Sequence, residues 1–309
     1  MAERSDRRIR VADIGGTHVT AATVDPLTGE LLDEPVRTEL PLDGEREALL
    51  DALVSALAAT AETPTDWSLA FPGPFDYERG IPRIEGLAKL DALYGVDLRA
   101  ALGERLGPSS GQRMVFLNDA HAFGLGEWWT GSAQGYRRVI AVTLGTGLGS
   151  AFLDDGERVA RGPSVPPDGW LYHLPVADTI LDELVSSRGI LRRYGADDAV
   201  SVRELAERAR SGDRTAATVF AETARLLGDA LTPWVERFGA TCVVVGGSIA
   251  NAWDLLAPSL DVATTGAQSV RARHIEHAPL LGAAVYAERI PEARCNCGAH
   301  RRAPRSWCT

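Results

Sequence analysis

The sequence predicts an α/β protein made of two related domains that face each other across a cleft. Three observations carry this reading. Strand-like apolar runs alternate with segments of helical periodicity along the chain. The 309 residues are enough for two domains, each with its own core, since domains usually run to about 100–200 residues. Each half also opens on the same device, an apolar run that ends in a glycine turn and doubles back. The first copy is IRVADIGGTHVTAATVD from Ile9, and the second is VIAVTLGTGLGSAFLDDG from Val139, so the halves read as an internal duplication.

In chain order, Arg8 to Ile14 and His18 to Val24 read as two strands joined at Gly15-Gly16-Thr17. GELLDEPVRTEL supplies a third strand, and REALLDALVSALAATAE has its apolar residues at helical spacing. DWSLAFPGP returns as a short strand that stops at Pro-Gly-Pro. A loop-like stretch, FDYERGIPRIEGLAKLDALYG, leads to the helix start VDLRAALGERL. QRMVFLNDA is a strand running straight into the helical HAFGLGEWW. After the second hairpin come three helical segments: TILDELVSSRGILRRY, SVRELAERARSG and RTAATVFAETARLLGDALTPWVERF. ATCVVVGGSI is a buried strand passing into helical ANAWDLLAPSL; SVRARHIE is a last strand and APLLGAAVYAER a last helix. These elements divide into a smaller α/β domain over residues 1–118 and a larger one over 119–277. A helix at about 278–290 is expected to pack back on the first domain, and residues 291–309 form a peripheral tail.

Composition narrows the function classes. A net charge of −10 argues against a nucleic-acid surface. No apolar run approaches the roughly 18 residues that span a bilayer, and MAERSDRRIR has no apolar segment behind it to act as a secretory signal. Four Cys make no disulfide framework, which points to a reducing cytoplasm. Lys89 is the one lysine among 32 basic residues, and no G-x-x-x-x-G-K-[ST] occurs, which removes the P-loop NTPases.

Turns without Cβ atoms let backbone N–H groups converge on an anion. Gly15-Gly16-Thr17 and Gly145-Thr146-Gly147, one from each half, are placed to grip a polyphosphate from both sides. Alone, either is an ordinary tight hairpin; as a pair, with an acid at the first and Thr in both, they point to nucleotide binding. Asp13 would repel phosphate unless a divalent cation sat between them, which is the hard-oxygen ligation Mg²⁺ prefers. Gly246-Gly247-Ser248 is a third glycine turn, where a flat ring can lie against backbone and Ser248 can start a helix. Asn118 and Asp119 fall where a strand gives way to a helix, a frequent address for active sites in α/β proteins. A carboxylate there can accept a hydroxyl proton during phosphoryl transfer, or it can simply cap the helix.

These motifs, in this order, resemble the ROK family of sugar kinases and related repressors, within the ribonuclease-H-like, actin-like ATPase superfamily. The likeness runs from about Arg8 to Arg289: DIGGTHVTAATVD and TLGTGLGSAF resemble the phosphate motifs, LNDAHAFGLGE the catalytic segment and VVVGGSI the adenosine motif. AFPGPFDYERGI and YGVDLRAAL are similar to the sugar-side loop. The resemblance implies an ATP-dependent sugar kinase with Asp119 as general base and Asn118 as a sugar ligand. Asp13 would hold Mg²⁺ through water. Gly15, Gly16, Thr17, Gly145, Thr146 and Gly147 would hold the ATP phosphates, and Gly246, Gly247 and Ser248 would flank adenosine. Pro72-Gly73 and EGLAKLD, starting at Glu85, would wall the sugar pocket. It also implies a homodimer.

The family's Gly-Glu-x-Gly-His and its His-Cys₃ zinc cluster correspond here to PPDGWLYHLPVADTILDELVSSRGI, which has no Cys. His173 keeps the His, Trp170 stands in place of the Glu, and Asp182 replaces the later sugar-binding Glu. Glucose is therefore less expected than a hexose variant, an amino sugar or a cyclitol, since sites that hydrogen-bond a hydroxyl discriminate sharply. In the tail, Cys295, Cys297, His300 and Cys308 are zinc-ligand types in a spacing that fits no common structural site; a peripheral tail is the alternative. His121 and the Trp128–Trp129 pair read as packing residues. Of the other functions, a sugar-responsive repressor would carry an N-terminal helix-turn-helix, for which there is no room before Arg8. A sugar-binding pseudokinase would not need Asp13 or Asp119.

Overall fold

The computed structural model describes residues 8–41, 45–59, 66–84, 90–107, 113–196, 200–262 and 266–290. Glu85, Cys295, Cys297, His300 and Cys308 lie outside the described residues.

Two five-stranded sheets repeat one topology. In the first, β1 (Ile9–Ile14) pairs antiparallel with β2 (His18–Val24), which pairs with the edge strand β3 (Val36–Glu39). On its other side β1 pairs parallel with β4 (Asp66–Phe71), which pairs parallel with β7 (Met114–Asn118). Between them lie α1 (Arg46–Ala58), the small hairpin of β5 (Phe75–Asp76) and β6 (Ile81–Pro82), and α2 (Leu98–Leu106). The second sheet repeats the order. β8 (Arg138–Leu144) pairs antiparallel with β9 (Leu148–Asp154), beyond which lies β10 (Glu157–Arg158). β8 also runs parallel with β13 (Cys242–Gly246), and β13 with β14 (Gln268–Arg271). The duplication read from the two hairpins is thus a duplication of whole sheets.

Helices cover the faces. The largest core packs β8, β9 and β13 against α4 (Leu181–Val185), α5 (Ser187–Tyr194), α6 (Val202–Arg210) and α7 (Arg214–Phe238), with α8 (Trp253–Leu256) beside them. The short β11 (Pro175–Val176) and β12 (Thr179–Ile180) precede α4. Asp213 caps α7, accepting the Ala216 N–H at 3.0 Å, and left-handed Gly239 ends it.

A second core lies between the sheets. There α3 (Asp119–Trp129) and α9 (Ala278–Arg289) cross, α3 against β8 and β9, and α9 against β1, β2 and β4. The crossing is so close that a Cβ on Gly282 would strike the Ala122 carbonyl oxygen, and one on Gly126 the Ala278 carbonyl oxygen. Only glycine allows that approach. Arg113 ties down the last turn of α9 by donating to the Ile290 carbonyl at 2.6 Å and to the Ala287 carbonyl. A cation there also suits the helix C-terminus.

Several segments differ from expectation. Of GELLDEPVRTEL only Val36–Glu39 is strand, with Leu31 making a single bridge to Val24. TILDELVSSRGILRRY is broken at Ser186, whose ψ of 170° is extended. The cause is tertiary, because the Ser187 N–H and hydroxyl both bond the Gly145 carbonyl, at 2.8 and 2.9 Å. Strand β14 stops at Arg271, so RHIE is not strand.

Candidate active site

Parallel register sets the site. Asp13 at the end of β1 lies opposite Ala70 of β4, and Phe71 of β4 lies opposite Asn118 of β7. Asp13, the Pro72–Gly73 loop and the Asn118–Asp119 junction therefore emerge side by side at the carboxyl ends of three parallel strands. Such ends are where open α/β sheets collect their ligands.

Asn118 is the N-cap of α3, its Oδ1 accepting the His121 N–H at 3.1 Å. Its amide nitrogen donates to Asp119 Oδ1 at 2.8 Å and to the Tyr77 hydroxyl at 3.2 Å. Tyr77 in turn donates to the Phe71 carbonyl at 3.1 Å and stacks on Phe75. Asp119 Oδ1 also takes the Ala120 N–H at 2.8 Å, so one oxygen is committed to the protein and the other carries none of these bonds.

Two half-buried carboxylates face each other here. Burial, and then the Asp119 charge, push the Asp13 carboxyl up to about 7, against a smaller opposing effect of Arg37. Burial likewise raises Asp119, against its hydrogen bonds from the Ala120 and Asp119 backbone and from Asn118. A pair of acids that both resist ionisation is a place that gains from a bound cation, and its donors are hard oxygens. The residues fit Mg²⁺.

The glycine turns lie on either side. Gly15 N–H closes the first onto the His18 carbonyl at 2.9 Å, leaving Gly16 and Thr17 exposed. Gly145 N–H closes the second onto the Gly147 carbonyl at 3.0 Å, leaving Thr146 and Gly147 exposed. The amino end of α3 reaches this second hairpin, with Ala120 packed against Gly149. The third turn is adjacent, since Ser248 Oγ would lie 3.6 Å from a Cβ on Gly145. Gly247 has φ 81° and rests on the Leu144 backbone, which a side chain would displace.

A family model described as the ROK family matches residues 11–290. The chain belongs to the ROK family. Among relatives of this ROK chain, a glucokinase of Thermotoga maritima is 27% identical over 272 residues, covering 79% of this chain and 83% of that one. The crystal structure of a ROK hexokinase from Thermus thermophilus matches at 27% identity and a TM-score of 0.69, over 91% of this chain and 98% of that one. A Streptomyces griseus ROK glucokinase, solved with glucose and AMPPNP, shares the fold at a TM-score of 0.73 and 23% identity, over 90% of this chain and 98% of that one.

Against the sequence reading, Asn118, Asp119, Asp13 and Gly73 come together; a Cβ on Gly73 would lie 3.4 Å from the Tyr77 hydroxyl, 3.9 Å from the Trp170 ring and 4.0 Å from Asn118 Nδ2. Gly246 goes elsewhere. It is buried and makes room for the Phe123 ring, so only Gly247 and Ser248 face outward. Asp182 lies against the β8–β9 turn, its Oδ1 accepting the Leu148 N–H at 2.6 Å beside Gly147 and its Oδ2 pairing with Arg188 at 3.2 Å. A carboxylate one methylene shorter than Glu is held back on the hairpin. His173 is exposed, its ring 4.1 Å from Tyr172. Sequence reasoning missed Tyr77, although an aromatic three residues after Pro74 was available as a signal. It also missed Ser187, which braces Gly145 across a gap no spacing rule spans. Among the described residues no group of three or more His, Cys, Asp or Glu is arranged to hold a metal, and no helix is long and apolar enough to cross a membrane.

Proposed function

We propose that this ATP-dependent carbohydrate kinase moves the γ-phosphoryl group of ATP onto a primary hydroxyl of a hexose, an amino sugar or a sugar-like cyclitol. The observation that carries the reading is the placing of Asp119. It stands at the junction of β7 and α3, across from Asp13, with Asn118 and the Pro72–Gly73 loop on one side and the β8–β9 turn on the other. The exposed backbone of the two glycine turns takes the phosphates. Mg²⁺, held near Asp13, would neutralise phosphate charge.

Asn118 and Tyr77 orient the acceptor hydroxyl toward the oxygen of Asp119 that the Ala120 N–H does not occupy. That carboxylate accepts the hydroxyl proton as the phosphoryl group transfers. A carboxyl raised by burial is a stronger base once ionised, which suits this step. Trp170 replaces a hydrogen-bonding acid with an apolar ring next to Gly73, so recognition of the acceptor differs from that of a glucose site. ADP release measured over hexoses, amino sugars and cyclitols tests the assignment: a hydroxymethyl-bearing relative of glucose is expected to outperform glucose. Glucose as the best acceptor would refute the acceptor reading, and no ADP release with any acceptor would refute the kinase.

A further inference from the structure

Beside the first glycine turn stand His18, Arg37 and Glu39. In the pairing of β1, β2 and β3, Thr20 lies opposite Asp13 on one side and Arg37 on the other, and His18 lies opposite Glu39. Residues directly opposite each other share a face of the sheet. Arg37 is therefore on the Asp13 face, two strands and about 10 Å away along the backbone, while Val19 and Ala21 point to the other face, into the core. The Arg37 side chain is exposed and reaches toward the turn, its Nη2 donating to His18 Nδ1 at 3.2 Å. That same nitrogen lies 2.8 Å from the Thr17 hydroxyl. The Thr17 carbonyl accepts the Leu40 N–H at 2.9 Å, which fixes the end of β3 against the turn. One imidazole nitrogen thus separates the guanidinium from the side chain of the first phosphate turn.

Building on the kinase reading above, we infer that Arg37 is a ligand of the phosphoryl donor: with nucleotide bound it leaves His18 and donates to a non-bridging oxygen of the β- or γ-phosphate held at Gly15–Thr17. The hydrogen-bond count around His18 carries this. Arginine can only donate, so Nδ1 must accept from Arg37, yet it has one lone pair and the Thr17 hydroxyl contends for it. A proton on Nδ1 would satisfy Thr17 and be opposed by the guanidinium N–H. The three groups cannot all be satisfied together. A phosphate oxygen resolves the conflict by taking the Arg37 N–H. The neutral ring then moves its proton from Nε2 to Nδ1 and donates to Thr17 Oγ1, and the Thr17 O–H is released toward phosphate; no net proton is gained or lost. Charge points the same way. Asp13 and Asp119 make the floor of the site acidic, and the glycine turns offer N–H groups without formal charge. Among the described residues Arg37 makes no ion pair, with Glu39 or with any other acid. Its charge already acts at Asp13, where it opposes the effect of burial. Burial and then Arg37 hold the His18 ring below its ordinary range, against Glu39, which favours the neutral imidazole. A guanidinium resting on a neutral nitrogen gains from exchanging it for a charged phosphate oxygen.

The alternative is that Arg37 is only a charge that protects the edge strand β3 from pairing, a role that leaves nucleotide affinity untouched. The test is calorimetric binding of Mg·ADP and Mg·AMPPNP to the full chain, with the KM for ATP and for the best acceptor taken from ADP release. Arg37→Ala is expected to weaken Mg·AMPPNP, alone or together with Mg·ADP, by about tenfold or more. Loss with AMPPNP alone assigns the contact to the γ-phosphate, and loss with both assigns it to the β-phosphate. The KM for ATP should rise by a similar factor while the KM for the acceptor stays within about twofold. Arg37→Lys, which keeps charge without the fork, should regain part of the affinity, and the urea midpoint of both variants should match wild type because the side chain is exposed. Affinities of Arg37→Ala within about twofold of wild type for both nucleotides would overturn the inference. So would an equal rise in the acceptor KM, or an Arg37→Lys protein no better than Arg37→Ala. Each of those results leaves the kinase standing, whereas wild-type protein that neither binds Mg·AMPPNP nor releases ADP with any acceptor would remove both.

Discussion

Asp13→Asn should stabilise the ligand-free protein, and only toward neutral pH. In the folded chain burial and Asp119 push the Asp13 carboxyl from 3.8 to about 7. The unfolded chain therefore loses this proton first. Between about pH 4 and 7 the native state binds more protons at Asp13 than the unfolded state, so stability falls as pH rises through that window. Three units at 1.36 kcal/mol each set a ceiling of about 4 kcal/mol. Asp13 is half-buried rather than sealed from water, which argues for a smaller effect, on the order of 1–3 kcal/mol. Asparagine has no proton to lose, so the variant escapes the penalty. The measurement is urea unfolding of both proteins without nucleotide, from pH 5 to pH 8. The stability advantage of Asp13→Asn should grow across that range and level off above about pH 7. An advantage that stays flat, or shrinks with pH, would refute the burial of a repelled acid beside Asp119. Function is expected to move the other way, with weaker Mg·ATP binding, as when a strained site trades stability for activity.

Two further variants test the frame that holds the site. Gly282→Ala puts a Cβ into the Ala122 carbonyl at the α3–α9 crossing. It should lower stability by about 3 kcal/mol or prevent folding, and a urea midpoint within error of wild type would contradict the close crossing. Glu127, fully buried, accepts N–H bonds from Ser132 at 2.7 Å, Arg273 at 3.0 Å and His274 at 2.7 Å. Glu127→Gln turns an amide toward some of these donors and should cost about 2–4 kcal/mol; a loss below about 0.5 kcal/mol would show that the carboxylate is not what joins α3 to the segment before α9.

What could be read from sequence was what short-range chemistry dictates. The hairpins β1–β2 and β8–β9 announced themselves by alternating apolar residues around glycine turns, and α7 by the helical segment RTAATVFAETARLLGDALTPWVERF, which the structure matches over Arg214–Phe238. Asp13, Asn118 and Asp119 were legible because each sits at a strand end. What stayed hidden depends on partners far along the chain. Ser186 breaks a periodic helical pattern because Ser187 bonds Gly145. Asp182 occupies the sequence position of a sugar ligand, yet the fold spends it on the Leu148 N–H. Gly246 belongs to a turn motif, yet it faces Phe123. Tyr77 meets Asn118 from a segment 41 residues away and is unremarkable in its own stretch.

The central claim is that Asp119 accepts the proton of the acceptor hydroxyl, and Asp119→Asn tests it most directly. The amide oxygen can still take the Ala120 N–H, so the helix start is retained. Single-turnover phosphoryl transfer should fall by about 10²–10⁴-fold, while binding of a non-hydrolysable ATP analogue, measured by calorimetry, stays within about threefold of wild type or tightens as one repelling charge is lost. Transfer at the wild-type rate in a folded Asp119→Asn protein would contradict the account.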